Sequence, residues 1–399
     1  MQITIRPGDT AWYCSQLFQL FQVPLILIET SNPDKNILSL TIGQSLEIPG
    51  YMLNEYNVQA GDSYWSIANR YQLPIDSIEI MNPNSNPQDL QPNQTILVPV
   101  RIQDLLINDI DQYTYEKFIQ DLTMLQQVYP FIQLRNIGNS VLGKDIIELQ
   151  IGSGSKQVHM NGSSHANEWI TTPVLMKFIN DYVLALTNGQ TIRGLPMLPF
   201  YQQTQLSIVP MVNPDGVDLV ILGADAAEEF RDTVLKVNNQ NPDFSDWKAN
   251  IRGVDLNNQY PALWGVEAER KLSSPQPRDF PGYAPLTEPE AIAITELTGE
   301  RDFSRVNTLH TQGEVIFWGF EGLEPPESLT VVTEFERVSG YIPIQYVDSY
   351  AGYKDWFIQE YRRPGFTLEL GQGTNPLPIS QFDEIYEQTL GILIANLYL

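Results

Sequence analysis

The chain has 399 residues and a formal net charge of −25 at pH 7, with 23 Lys and Arg against 48 Asp and Glu. That length exceeds one compact core and predicts two or three domains, while the acidic balance excludes the basic surface that nucleic-acid phosphates require. A hydrophobic share of 42% suffices for globular cores, no run of about 18 apolar residues is present to span a membrane, and Cys14 as the only cysteine excludes an intrachain disulfide.

The segment Met1-Gln2-Ile3-Thr4-Ile5-Arg6-Pro7-Gly8-Asp9 has no charged start followed by a long apolar core, so it does not read as a signal peptide. Cytoplasmic retention is the expectation, with the cell wall after release as the alternative. A repeat follows. Ile5-Arg6-Pro7-Gly8-Asp9-Thr10-Ala11-Trp12 returns as Val58-Gln59-Ala60-Gly61-Asp62-Ser63-Tyr64-Trp65. Asn32-Pro33 returns as Asn82-Pro83, and Ile42-Gly43-Gln44-Ser45-Leu46-Glu47-Ile48-Pro49 as Pro92-Asn93-Gln94-Thr95-Ile96-Leu97-Val98-Pro99. A period of about 50 residues marks a duplicated small domain, here residues 1–50 and 54–100. Each copy reads strand, helix, helix, strand, with Asp and Ser or Thr as natural N-caps. This pattern resembles the LysM domain, a βααβ unit, and the resemblance implies binding of N-acetylglucosamine-containing glycan. The helical stretch is longer in the first copy (residues 12–32 against 65–82), which predicts a different groove.

Beyond Val100 the periodicity changes. Residues 113–130 predict an amphipathic helix leading into a strand at 131–134, and residues 146–151 and 158–160 predict strands. A helix is expected at 173–186, a strand at 205–212, a helix at 288–297, strands at 306–309 and 366–370, and a closing helix at 382–398. Strands alternating with helices imply an α/β sheet covered by helices, whose ligands gather at the carboxyl ends of strands.

Two of the three histidines stand in chemically suggestive places. His165-Ala166-Asn167-Glu168 puts an imidazole and a carboxylate within one turn, and His310 follows an apolar run far downstream. Two His and one carboxylate with an open fourth position make a hydrolytic zinc site. The third, His159, is expected in the core. Around these residues His165-Ala166-Asn167-Glu168-Trp169-Ile170, Asn213-Pro214-Asp215-Gly216, Val254-Asp255-Leu256-Asn257, His310 and Phe366-Thr367-Leu368-Glu369-Leu370 occur in an order that resembles the zinc carboxypeptidase family over residues 104–399. The resemblance implies a mixed sheet, one Zn²⁺ per chain on His165, Glu168 and His310, and Glu369 as general base.

It also exposes departures. Lys248 stands where the family carries an Arg that polarises the substrate carbonyl, with Arg252 as a competing candidate, and a lysine acts there as a point charge. Asn258 follows Asn257 in place of the Arg that clamps a terminal carboxylate. Asn257 and Asn258 are nevertheless expected to line the substrate site, with Arg252 and Arg278 as replacement cations. Tyr346, beside Val347 at the spacing of the family's closing tyrosine, is expected over the substrate. The missing clamp, the paired repeats and residues 277–291 point to a branch of endopeptidases on bacterial cell-wall peptides, cutting between γ-D-glutamate and meso-diaminopimelate. The expected partners are stem peptides and wall glycan, with no nucleic acid and no membrane. The alternatives are a metallocarboxypeptidase on ordinary peptides and a catalytically dead peptidoglycan-binding protein.

Overall fold

A computed structural model describes residues 1–17 and 23–399. It divides into two compact units, the first of residues 1–108, 120–133 and 179–199, the second of residues 109–119, 134–178 and 200–399.

In the first unit the sequence repeat becomes a repeat of structure. Strand β1 (Gln2–Thr4), helices Ala11–Leu17 and Leu25–Thr30 and strand β2 (Ser45–Glu47) are followed by β3 (Tyr51–Asn57), helices Tyr64–Tyr71 and Ile75–Met81 and β4 (Thr95–Arg101). β1 pairs antiparallel with β2, and β3 with β4. The Asn-Pro repeats have a physical reason. Asn32 Nδ2 donates to Ile28 O and Glu47 O while its Oδ1 accepts from Glu47 N; Asn82 makes the same three bonds to Ile78 O, Leu97 O and Leu97 N. One amide thereby ties the end of the second helix to the returning strand in both copies. Ser63 caps its helix, accepting from Ser66 N and donating its own N–H to Ser66 Oγ. Ile67, Ile78, Ile96 and Val98 close the core of the second copy. Arg6 of the first copy pairs with Asp76 of the second at 2.6 Å. The part of the longer helix expected at residues 18–22 lies outside the described residues.

The remaining strands are β5 (Gln133–Asn139), β6 (Asp145–Ile151), β7 (Lys156–Asn161), the hairpin of β8 (Thr191–Ile192) and β9 (Leu195–Pro196), β10 (Thr204–Val209), β11 (Phe303–Thr311), β12 (Val315–Phe317), β13 (Ile342–Ile344) and β14 (Gly365–Leu370). Eight of them form one mixed sheet in the order β13-β12-β14-β11-β7-β10-β6-β5. The central four, β10, β7, β11 and β14, are mutually parallel, and β6 and β12 run antiparallel on either side. β7 lies between β10 and β11, so chain order reverses beside it, and the crevice at its carboxyl end is where such sheets bind ligands.

Helix Thr171–Asn188 and helix Phe382–Tyr398 stand where the sequence predicts them, and the helix expected at 288–297 runs as Pro289–Glu300, with Pro289 in its first turn. Phe131 and Ile132 are buried in a turn, and the strand expected from 131 begins at Gln133. Val306, Phe303, Trp356 and Ile294 share one buried cluster that fixes the central strands against helices Pro289–Glu300 and Tyr353–Tyr361. No helix among the described residues is long and apolar enough to cross a membrane.

Candidate metal centre

His165 follows β7, and Glu168 ends a single 3₁₀ turn, Ala166–Glu168, so covalent spacing sets both on one side of a tight bend. His310 sits near the end of β11, directly opposite Glu369 of β14 in the parallel register. All three candidate ligands are buried, and their donor atoms lie within 4.8 Å of one another. Glu168 Oε1 is 2.9 Å from His165 Nδ1, Glu168 Oε2 is 2.8 Å from His310 Nδ1, and the two Nδ1 atoms are 3.1 Å apart. Among the described residues no other group of His, Cys, Asp or Glu converges in this way.

The surroundings hold each ligand from behind. His165 Nε2 lies 3.0 Å from Asp255 Oδ1, which fixes that nitrogen as the N–H and leaves the Nδ1 lone pair for a metal. Asn375 Nδ2 donates to Glu168 Oε1 and to Thr311 O, and Thr311 Oγ1 donates to Asn375 Oδ1. Asn213, the N-cap of helix Pro214–Leu222, reaches across to donate to Ser164 O and Ala249 O, pinning the bend that carries His165.

The donor set fits zinc. Two imidazole nitrogens and a carboxylate are the borderline ligands Zn²⁺ takes, and the electrostatics call for a cation at this point. Burial alone would pull the His165 imidazole down, but Glu168 and then Asp255 outweigh it and carry it up to about 9. For His310 burial wins over Glu168 and the imidazole stays low. Glu168 and Asp255, although buried, are held well below the usual carboxylate range, chiefly by His165. Burial, and after it repulsion from Glu168, push the Glu369 carboxyl up to about 8, against the pull of His165 and Lys248.

Lys248 belongs to this site. Its carbonyl accepts from Ala166 N at 3.0 Å, and its ammonium, which burial would lower, is raised by Asp255 and Glu168. Asn257 and Asn258 lie just beyond Asp255. Asn257 N donates to Asp255 Oδ1, and Asn257 Oδ1 accepts from Tyr353 N. Asn258 is buried, its amide donating to Asn257 O and Tyr350 O. The two arginines are placed differently. Arg252 lies 3.5 Å from the Glu288 carboxylate, and Arg278 is half-exposed beside Asp279 at 3.6 Å; the Arg278 guanidinium repels the Lys248 ammonium. Tyr346 is exposed and its hydroxyl donates to Glu324 at 2.8 Å. His159 is core: it stacks on Phe303 at 4.9 Å, contacts Ser207 Oγ at 3.0 Å, and burial lowers it to about 3. Sequence reasoning gave no role to Asp255, which stands inside a quoted motif, or to Asn375, whose Gly-rich segment carries no ligand-like spacing.

The zinc carboxypeptidase family pattern matches residues 118–391, and the LysM domain pattern matches residues 56–99. The chain is 56% identical over 399 residues to gamma-D-glutamyl-L-diamino acid endopeptidase 1 of Lysinibacillus sphaericus, covering 100% of both proteins. It is 47% identical over 313 residues to protein YqgT of Bacillus subtilis (strain 168), covering 77% of this chain and 82% of that one. The structure of bovine thrombin-activatable fibrinolysis inhibitor, solved with tick carboxypeptidase inhibitor, superposes with a TM-score of 0.55 at 17% identity over 71% of this chain and 96% of that one, a likeness of fold. The matched span runs through His165, Glu168, His310 and Glu369 and covers more than half of the chain, so this protein belongs to the zinc carboxypeptidase family, as a zinc metallopeptidase that also carries a LysM domain.

Proposed function

We propose that this protein hydrolyses the bond between γ-D-glutamate and a diamino acid, meso-diaminopimelate, in bacterial cell-wall peptides, with one zinc ion on His165, Glu168 and His310. The observation that carries the reading is Asn258. Its buried amide is spent on two backbone carbonyls, so it offers no cation to the terminal carboxylate of an ordinary peptide. Similarity over the full length to a protein named for γ-D-glutamyl-diamino acid cleavage supports the same substrate class.

The chain's residues divide the work. Asp255 keeps His165 in the tautomer whose Nδ1 faces the ligand set. Bound there, zinc supplies a Lewis acid and lowers the pKa of a water toward about 7. Glu369 takes the proton from the attacking water and passes it to the leaving amine. Lys248 holds the charge that develops on the carbonyl oxygen. Mass spectrometry of L-Ala-γ-D-Glu-meso-diaminopimelate after incubation with the zinc-loaded protein tests the reading, with release of free diaminopimelate expected. Asn258→Arg is expected to bring no gain on that substrate. Rapid release of C-terminal Phe or Lys from ordinary peptides, with the γ-D-Glu bond intact, overturns the reading in favour of a plain carboxypeptidase.

We infer further that residues 1–50 form a second LysM domain beside that of residues 54–100, with residues 104–399 as the peptidase domain. The identical asparagine fastening and the antiparallel closure of both copies support this. Trp12 and Trp65, at corresponding positions, are 65% and 64% exposed, and an amphipathic ring left in solvent suits contact with a sugar face. Two weak linked sites raise retention through effective concentration. Replacing both tryptophans by alanine is therefore expected to cut retention on insoluble peptidoglycan by about 10-fold or more in a pelleting assay. Retention equal to that of the unaltered protein would remove these rings from glycan binding.

A further inference from the structure

A chain of buried polar side chains crosses the sheet and ends at the metal centre. It begins at Glu148 of β6, whose carboxylate accepts from Arg301 Nη2 at 3.1 Å and from Ser207 Oγ of β10 at 2.7 Å. Ser207 Oγ lies 3.0 Å from His159 Nδ1 of β7, and His159 Nε2 lies 3.1 Å from Asn161 Nδ2 on the same strand. Asn161 Oδ1 accepts from Thr308 Oγ1 of β11 at 2.8 Å, and Thr308 Oγ1 lies 3.3 Å from His310 Nε2. Strand register sets these meetings, with Ser207 opposite His159 and Thr308 opposite Asn161. From Glu148 to His310 no member is more than 4% exposed. Apolar side chains would fill this layer without the cost of taking polar groups out of water, so packing alone does not account for the chain.

One fixed end sets every proton along it. A carboxylate paired with an arginine only accepts, so the Ser207 hydroxyl proton points at Glu148. Ser207 Oγ is left to accept, and the ring nitrogen that faces it, His159 Nδ1, must be the N–H. Burial, and after it Arg301, keep this imidazole neutral, so His159 Nε2 carries a lone pair and accepts from the Asn161 amide. That contact orients Asn161, because turning it over would press its oxygen against the lone pair. Asn161 Oδ1 therefore faces Thr308 and takes the hydroxyl proton. Thr308 Oγ1 can then only accept from His310, whose Nε2 is the N–H and whose Nδ1 is bare. Nδ1 is the atom that lies 2.8 Å from Glu168 Oε2 and 3.1 Å from His165 Nδ1, inside the ligand set.

We propose that Glu148, Ser207, His159, Asn161 and Thr308 act as a tautomer relay that presents the His310 Nδ1 lone pair to zinc. The inference rests on the zinc assignment made above. The relay gives His310 what Asp255 gives His165, by a different device. Asp255 is a carboxylate in direct contact with its imidazole, whereas His310 meets a neutral hydroxyl and the carboxylate of the chain stands on β6, three strands away. A neutral acceptor makes the imidazole a weaker donor than a carboxylate does, so the two histidines are tuned apart although both are held in the same tautomer. In the opposite tautomer His310 would point an N–H at the ligand set, and the site would lose a ligand. These are positioning residues, acting through His310 alone.

The test uses the full-length protein with isotope-labelled histidine and zinc added. The chain has only 3 histidines, so nitrogen NMR can follow each ring. With zinc bound, His165 and His310 are expected as Nε2–H with the metal on Nδ1, and His159 in the opposite, Nδ1–H form. Thr308→Val, close in shape, is expected to bind zinc roughly 10- to 100-fold more weakly against a competing chelator and to gain less in melting temperature from added zinc. Thr308→Ser, which keeps the hydroxyl, is expected to recover most of both. Ser207→Ala is expected to release His159 from its single tautomer and to shift the His310 ring signals from two strands away, which a side chain that only packs would not do. Should Thr308→Val fail to fold, the tautomers of the unaltered protein and of Ser207→Ala decide. His159 as Nε2–H, zinc on His310 Nε2, His310 signals unmoved by Ser207→Ala, or undiminished zinc affinity in Thr308→Val overturns the inference and leaves the metal assignment standing. An unaltered protein whose His165 and His310 signals do not respond to zinc overturns the metal assignment and this inference with it.

Discussion

Glu369→Gln is expected to keep its zinc and to lose about 10³-fold or more in kcat, the upper range of what a positioned proton acceptor contributes. The substitution is nearly isosteric, so packing between Leu368 and Leu370 survives, and Gln cannot take a proton from water. The position is set by the sheet: Glu369 is the register partner of His310 on the adjacent parallel strand. Metal analysis and turnover on the same preparation check the result together. Full activity with full zinc would remove Glu369 as the base.

His165→Ala and His310→Ala are each expected to abolish stoichiometric zinc and with it all measurable turnover. Removing one ligand leaves a single imidazole and Glu168, and two protein ligands do not hold Zn²⁺ against competing chelators. The loss has a second readout that needs no substrate. Zinc bound only by the folded state stabilises it by mass action, so adding zinc should raise the melting temperature of the unaltered protein and of Glu369→Gln, but not that of either histidine variant. Asp255→Asn is expected to fall between these limits, at roughly 10- to 100-fold weaker zinc binding, since the amide can still meet His165 Nε2 but without charge. Stoichiometric zinc in His165→Ala or His310→Ala would overturn the assignment of that ligand.

The ligands were open to a reading of the chain because their signal is local. His165 and Glu168 are three residues apart, and any tight bend brings them to one side; His310 and Glu369 each stand next to apolar runs that can only be buried strands. The repeat was equally open, since Asn32 and Asn82 recur with the same neighbours and, in the structure, make the same bonds. These features depend on covalent spacing and on periodicity, and both are written in one dimension.

What tertiary structure decided has no such spacing. β12 and β13 have three residues each, too few for alternation to register, and they exist because β14 and β12 supply a partner edge. Asp255 and Asn375 are 90 and 207 residues from the ligands they hold, so only the meeting of β7, β11 and the segments around them gives those side chains a task. Arg252 and Arg278 look interchangeable along the chain; the fold gives Arg252 to Glu288 and sets Arg278 beside Asp279. Lys354 and Asp355 become a buried ion pair at the wall of a cavity only through the packing of their helix. The sequence by itself determined which residues can bind zinc and move a proton, because those are properties of side-chain chemistry at fixed spacing. Which charges are buried, paired or left facing a ligand is a property of surfaces brought together from distant segments, and that is settled only when the sheet has closed.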